Sequence, residues 1–168
     1  MPRLTEIAQI AEGFLPVDMA AAANNGDYVS VANFKHIAVV HFGAVGAAGE
    51  PPTLTIQQAT SAAGGGVKAL NFTRVDVKQA ATNLQGTAQF TTVTQAAGNT
   101  YTSASNGDKA RLWVVEFDAD ELDVDNGFKF IRATIADVGA TAQLGCVLYI
   151  LTEPRYASQP ANMPSVIA

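Results

Sequence analysis

The segment Gln143–Leu151 constrains the fold most, because it is apolar at nearly every position from Leu144 onward and contains the only cysteine of the chain. Successive side chains of a β-strand point to opposite sides of the sheet, so a run that is apolar in both phases predicts a strand buried on both faces. Such a strand needs one covering layer above it and another below it. We therefore expect this segment to lie inside a layered β-structure whose other strands are the covering layers.

Further strands are predicted wherever β-branched or alternating apolar residues are bounded by Gly, Pro or Asn-Gly signals. In chain order these segments are Asp27–Ala32, His36–Phe42, Thr53–Gln57, Val67–Lys78, Thr87–Thr94, Arg111–Phe117 and Phe128–Ala136. About eight strands with loops between them and no long internal helix predict an all-β domain, an antiparallel β-sandwich or jelly roll.

The segment Val67–Lys78 contains a change of phase. Leu70 and Phe72 share one side of the alternation. Val75 and Val77 share the other, which predicts either a bulge or a strand that passes from one sheet to the other.

Arms are predicted at both ends of the domain. Residues 4–14 place apolar side chains near helical spacing, and Gly13 and Pro16 end that pattern, so we expect a short helix in a weakly specified arm. The last residues, 152–168, contain three prolines, which cannot donate to a sheet, and predict an extended, docked or disordered arm. The predicted organisation is an N-terminal arm over 1–24, a β-sandwich domain over 25–151 and a C-terminal arm over 152–168.

A low content of charge separates this chain from most globular domains. Charged residues make up 15% of the sequence, against the usual ~25%, and such neutral surfaces suit a protein that lies against other subunits. The net charge of −5 argues against nucleic-acid binding, which needs a basic face. No apolar run approaches the ~20 residues of a membrane helix and no signal peptide opens the chain, so we expect no membrane association and synthesis in the cytoplasm.

No catalytic, cofactor-binding or metal-binding residue is predicted. An acidic run is interpreted as a solvated turn, with an adventitious cation site as the alternative; its members are Asp118, Asp120, Glu121, Asp123 and Asp125. The spacing of a calcium loop fails, because Leu122 occupies the third ligand position and glycine is absent from position six. His36 and His41 are five residues apart in one strand, so they point to opposite faces and cannot share a metal.

Other chemistry-bearing residues are also interpreted structurally. Cys146 lies in the most apolar segment, where we expect a buried, unreactive thiol. The glycine-rich stretches 43–49 and 62–66 lack the lysine of a phosphate-binding loop and are predicted as loops. Nothing like G-x-S-x-G marks a nucleophile, so we expect no enzyme.

Several phrases of the sequence together resemble a known protein family. They are GDYVSVANFKHIAVVHF, PTLTIQQAT, ALNFTRVDVKQ, LWVVEFDADELDVDNGF, ATIADVGATAQLGCVLYIL and EPRY, spread over residues 14–157. The chain resembles a family of small virion structural proteins of bacteriophages, encoded by tailed phages of Gram-negative hosts.

The resemblance implies a structural component of the virion, and within that class a capsid decoration (cement) protein. Such proteins are typically β-rich and bind the outer shell as trimers or dimers, so the implied partners are the major capsid protein or other virion proteins, with a homotrimer favoured. A tail or neck component is one alternative, and a carbohydrate-binding jelly roll is another. Sugar sites usually need exposed aromatics, whereas Trp113 lies amid apolar neighbours.

We expect one core to contain Trp113, Phe117, Phe130, Val147, Tyr149 and Leu151.

Overall fold

The computed structural model describes residues 2–87, 89–103, 107–156 and 159–167. In these ranges one short helix, α1 Leu4–Ile7, precedes a series of strands. The strands are β1 Ala8–Asp18, β2 Asn24–Asn25, β3 Val29–Ser30, β4 Phe34–Gly43, β5 Thr53–Ala59, β6 Lys68–Ala69, β7 Phe72–Ala80, β8 Thr91–Gly98, β9 Thr100–Thr102, β10 Ala110–Asp118, β11 Phe130–Ile135 and β12 Leu144–Pro154. Three 3₁₀ turns lie at Ala119–Glu121, Val124–Asn126 and Pro160–Asn162. None of the described helices is long and apolar enough to cross a membrane.

The strands form two antiparallel sheets that pack face to face. The first sheet has the order β1-β12-β4-β10-β7-β8, and the second has the order β2-β11-β5-β6, where β3 also pairs with β11 and β9 with β5. In the first sheet β4 pairs along nearly its whole length with β12 on one side and β10 on the other. The predicted all-β antiparallel sandwich is confirmed.

The core lies between the two sheets. The first sheet contributes Trp113, Tyr149 and Phe117, each at most 1% exposed, and the second contributes side chains such as Ile56 and Ile131. The Tyr149 hydroxyl ties the sheets together, because it accepts the backbone N–H of Ala133 on β11 at 2.7 Å. Of the six residues predicted to share a core, five belong to the main apolar cluster. The sixth, Phe130, is buried but lies outside it.

The predicted N-terminal helix is largely wrong. Only Leu4–Ile7 is helical, and the next eleven residues form β1, which pairs with β12 at the edge of the first sheet. Gly13 does not end a helix but lies at a register shift in β1, where an added Cβ would come within 2.7 Å of the Val147 side chain. Residues 8–18 are therefore part of the sandwich and not of an arm over 1–24. Backbone pairing with the open edge of β12 outweighs a weak helical periodicity.

The C-terminal boundary also shifts. β12 continues to Pro154, beyond the predicted arm boundary at 152. The segment after it returns to the sandwich, where the Ser30 N–H donates to the Val166 carbonyl at 2.8 Å and the Val166 side chain is buried. The sequence predicts an extended, docked or disordered C-terminal arm, and the residues around Val166 are docked.

The predicted change of phase in Val67–Lys78 is confirmed. β6 pairs with β5 in the second sheet and β7 pairs with β10 in the first, so the chain changes sheets between them. A register shift between Phe72 and Arg74 adds a bulge at the start of β7. The change of sheet and the bulge allow three side chains of different phase to be buried, namely Leu70, Phe72 and Val75.

Candidate interaction surface

The expectation that β12 is buried on both faces is wrong within this fold. Its buried positions are those of one phase, including Val147, Tyr149 and Leu151. The other phase points away from the second sheet, and there Leu144 is 59% and Leu148 39% exposed. Within the described residues, the chain supplies a covering layer for only one side of this strand.

The exposed phase of β12 continues across its neighbours as one apolar surface. The cross-strand registers place Cys146, Phe42 and Leu112 in one row, and Leu148, Val40 and Val114 in the next. We name this surface the outer apolar face, and its members are Ile10, Ala38, Val40, Phe42, Leu112, Val114, Leu144, Cys146, Leu148 and Ile150.

The outer apolar face is open to solvent at its largest side chains. Phe42 is 53% exposed and Ile10 is 45% exposed, beside Leu144 and Leu148. Single exposed apolar residues are normal, but contiguous apolar patches of several hundred Å² usually mark contact surfaces. The sequence reasoning recognised β12 but missed this face, although the segments of β4 and β10, HIAVVHF and RLWVVEF, are also apolar in both phases.

Charged groups border the outer apolar face, since Glu12 pairs in register with Leu148 and Asp76 with Val114. At one end, His36 Nδ1 lies 2.9 Å from a carboxylate oxygen of Asp118, and His36 Nε2 lies 3.5 Å from one of Glu116. The hydrogen bond to Asp118 is the largest cause that raises the pKa of His36. At the other end, Lys78 pairs in register with Leu112, and its ammonium lies 4.6 Å from the ring centroid of Phe90.

A groove of about 630 Å³ opens at one end of the sandwich. Its floor includes the buried rings of Phe34 and Phe128, and charged side chains form its rim, where Lys35 lies 3.3 Å from Glu153. Glu153 has φ of +53°, a left-handed conformation that residues other than glycine rarely adopt. The described lining contains no serine, cysteine or histidine, and its ionisable side chains are Lys35, Asp120, Lys129, Glu153 and Arg155.

The acidic run forms the turn that follows β10. Glu121 accepts the backbone N–H of Asp118, and Asp123 binds Lys68 and the Asn126 side chain. The pair with Lys68 is the largest cause that lowers the pKa of Asp123. Within the ranges the structure describes, no three His, Cys, Asp or Glu side chains come together as a metal site would require.

His41 lies on the inner side of β4, opposite to His36, as the spacing predicts. Its ring is fully buried, packs 5.0 Å from the ring of Trp113, and has Nδ1 3.1 Å from the Cys146 carbonyl. Burial lowers the pKa of His41 to about 4, so the ring is neutral at pH 7 and Nδ1 donates to that carbonyl.

Arg111 is a buried cation that the sequence reasoning did not single out. It is 1% exposed, donates to the carbonyls of Gly107 and Lys109, and has its pKa lowered to about 10 by burial. Gln143 donates to the same Gly107 carbonyl at 3.1 Å. These bonds hold the Gly107 loop against the sandwich, which is a structural role.

The expectation of a buried Cys146 is wrong in part. Cys146 belongs to the outward phase of β12 and is only partly buried. Partial burial is the main cause that raises the pKa of the Cys146 thiol, which therefore stays protonated at neutral pH.

A scan against protein-family models and a search of curated proteins find no match for this chain.

Proposed function

We propose that the chain is a structural component of a tailed-bacteriophage virion, a capsid decoration (cement) protein that binds the assembled shell and stabilises it. The family resemblance over residues 14–157 supports this proposal, and the observation that carries it is the outer apolar face. A wide apolar surface is costly on a free monomer and useful on a protein that functions inside an assembly.

The proposed state in the particle is a closed homo-oligomer, since closed symmetry covers apolar surfaces without open-ended growth. The resemblance favours a trimer. In this proposal the protein has no enzymatic activity, and its location is the virion after synthesis in the host cytoplasm.

We assign the contact with the major capsid protein to the two terminal segments, which are the residues before β1 and the residues after β12. The N-terminal one exposes Leu4 and Ile7, and the C-terminal one exposes Tyr156 at 72% and Ile167 at 82%. Exposed side chains at both ends of the chain can contact neighbouring subunits at once and so add up weak contacts. Subunit boundaries exist only in an assembled shell, which gives selectivity for capsids over free capsid subunits.

Co-sedimentation with capsids of the encoding phage, assembled without this chain, tests the proposal. The wild-type chain should pellet with capsids and not with free capsid protein, and Tyr156→Ser combined with Ile167→Ser should weaken pelleting. Val67→Ser is the matched control, because Val67 is also exposed, at 46%, but lies in the loop before β6. Failure of the wild-type chain to bind capsids would contradict the cement role and favour a tail or neck component.

A carbohydrate-binding role is the second candidate, favoured by one shallow depression of about 410 Å³ beside β8. There Phe90, 45% exposed, stands near Arg74, Asp76 and Glu116, and an exposed ring beside charged groups is an arrangement that can hold a sugar. Asp76 is, however, already bonded to the Thr92 hydroxyl and paired with Arg74 at 2.9 Å. Glycan-array binding that Phe90→Ala abolishes would support this candidate over the cement role.

A further inference from the structure

We propose that a buried polar cluster at one end of the core is a binding site for internal water, which bridges the side chains of the cluster. Its members are His41, Arg111, Trp113 and Gln143, each at most 1% exposed. The inference concerns the interior of the monomer and is independent of the proposed role in a virion.

Each member of the buried polar cluster has one side-chain nitrogen or oxygen that is buried and has no hydrogen-bond partner among the described residues. These atoms are His41 Nε2, Arg111 Nη1, Trp113 Nε1 and Gln143 Oε1. Two further atoms of this kind belong to Tyr28 and Arg132, whose side chains stack on each other. A buried polar atom without a partner costs ~1–3 kcal/mol, and most such atoms in native proteins are bonded to protein or to ordered water.

The strand registers bring three members of the cluster together. Two adjacent inward-facing rows of the first sheet consist of Arg111, Gly43 and Gly145 in one row and Trp113, His41 and Val147 in the next. Because Gly43 has no side chain, Arg111 and His41 both lie over it. The point where a Cβ of Gly43 would stand is 3.3 Å from Arg111 Cγ and 3.1 Å from His41 Nε2. The Arg111 guanidinium carbon lies 5.7 Å from the ring centroid of Trp113, and the His41 ring lies 5.0 Å from it.

Gln143 joins the cluster at the Gly107 loop. Its side-chain nitrogen donates to the Gly107 carbonyl at 3.1 Å, and Arg111 Nη2 donates to the same carbonyl at 2.8 Å. The Gln143 and Arg111 side chains are therefore neighbours. Since the Gln143 nitrogen is used in this bond, the oxygen of that amide is the atom left without a partner.

The four unpartnered atoms are two acceptors and two donors, and this combination selects the ligand. His41 Nδ1 donates to the Cys146 carbonyl at 3.1 Å, so Nε2 of the neutral ring is an acceptor. Gln143 Oε1 is the second acceptor, whereas Arg111 Nη1 and Trp113 Nε1 are donors. A water molecule donates two hydrogen bonds and accepts two, so it satisfies both kinds of atom.

A small anion fits the cluster less well. It would compensate the charge of Arg111, which forms no ion pair within the described residues. Burial lowers the pKa of Arg111, and the charge of the exposed Asp108 opposes that shift. An anion would, however, face the acceptor atoms of His41 and Gln143 and leave both without a donor. A metal ion fits no better, because it would face the N–H groups of Arg111 and Trp113.

NMR spectroscopy of the full-length chain tests the inference, because Trp113 is the only tryptophan of the sequence and gives a single indole N–H signal. The wild type should show a cross peak between this N–H and a long-lived water molecule. Gly43→Ala adds a methyl group 3.1 Å from His41 Nε2, and the cross peak should be lost. The matched control is Gly98→Ala, whose added Cβ meets its nearest neighbour at 3.7 Å, and the cross peak should remain.

Cooperative urea unfolding checks that each variant is folded. If Gly43→Ala does not fold, Gln143→Met takes its place, because methionine has a similar length and lacks the acceptor oxygen, and the cross peak should again be lost. A wild-type indole N–H without contact to a long-lived water would overturn the inference. So would equal effects of the two glycine variants. An indole signal that shifts saturably with sodium bromide and not with sodium sulfate would also overturn it, since the ligand would then be an anion.

Discussion

In the central rows of β12, β4 and β10, the two faces of the first sheet differ in cover and hardly at all in apolar character. Trp113 and Leu112 are consecutive residues of β10, yet Trp113 is fully buried between the sheets and Leu112 lies on the outer apolar face. The two histidines of β4 repeat the contrast, with His41 inside and His36 outside. The comparison teaches that apolar residues in both phases of a strand indicate burial on both sides, without showing which molecule covers the outer side.

The largest expected effect is a contrast in stability between Trp113→Ala and Leu112→Ala. Trp113→Ala leaves a cavity in the core and should lower the free energy of unfolding by ~3–5 kcal/mol. Leu112→Ala should cost below about 1 kcal/mol when measured at a protein concentration low enough to keep the chain monomeric. Urea denaturation measures both, and equal losses would show that the outer face is packed within the monomer.

The buried His41 should make the protein less stable in acid. The pKa of folded His41 is about 4, whereas the ordinary value is 6.5, so between these pH values the unfolded chain binds a proton that the folded chain does not. The contribution of neutral His41 to the free energy of unfolding is complete above pH 6.5. It falls as the pH drops toward 4 and then levels off, which is a loss of up to about 3 kcal/mol.

The difference between wild type and His41→Gln isolates this loss, since the carboxylates contribute equally to both. Between pH 7 and pH 4.5 the urea midpoint should fall more for the wild type than for His41→Gln. Parallel pH profiles would contradict the buried, neutral state of His41.

The Tyr149 hydroxyl should matter less than a core ring. Tyr149→Phe leaves the buried N–H of Ala133 without its acceptor, which should cost ~1–3 kcal/mol. Tyr156→Phe is the control, because Tyr156 is 72% exposed and its hydroxyl should contribute little. Thermal melts of the two variants measure the difference, and an unchanged melt for Tyr149→Phe would refute the cross-sheet tie.

The smallest effect is expected from His36 on the outer side. Its pKa is raised, chiefly by Asp118, so its contribution to stability is present below pH 6.5 and is lost as the pH rises through its folded pKa. The side chain is 32% exposed, and solvent screening should keep this contribution below about 1 kcal/mol. NMR titration should show His36 titrating above 6.5 and His41 well below it, and the reverse order would contradict the two environments.

Much of the sandwich could be predicted from sequence because strand alternation is a local signal. Leu54 and Ile56, which alternate with polar residues in the predicted strand Thr53–Gln57, are both fully buried. The Asn-Gly signal at Asn126-Gly127 lies at a turn, with Gly127 in the left-handed conformation. The predicted strand at Asp27–Ala32 is shorter, and the predicted strand at Thr87–Thr94 begins later, at Thr91. Asn106, the first residue of a further Asn-Gly signal, lies outside the described residues.

The N-terminal strand and the candidate surface could not be derived in the same way. Gly13 and Pro16 follow a weak helical pattern and therefore predict the end of a helix. The edge of β12 that pairs with β1 lies far away in the sequence, so local residues do not indicate it. For β12, hydrophobicity specifies burial without specifying the molecule that provides it. Three adjacent strands that are apolar in both phases predict a third layer, and no described segment of the chain provides it. This pattern is the signal that could have identified the face.

The central claim is that association with other subunits covers the outer apolar face, and Cys146 lies within that face, where the reactivity of its thiol depends on that cover. The most direct measurement is the rate at which a soluble disulfide reagent modifies the Cys146 thiol over a series of protein concentrations. The account predicts that the rate falls as the concentration rises through the dissociation constant, and that in Leu148→Lys the rate stays constant. A wild-type rate that does not depend on protein concentration, in a chain that sediments as an oligomer, would contradict the claim and place the contact elsewhere.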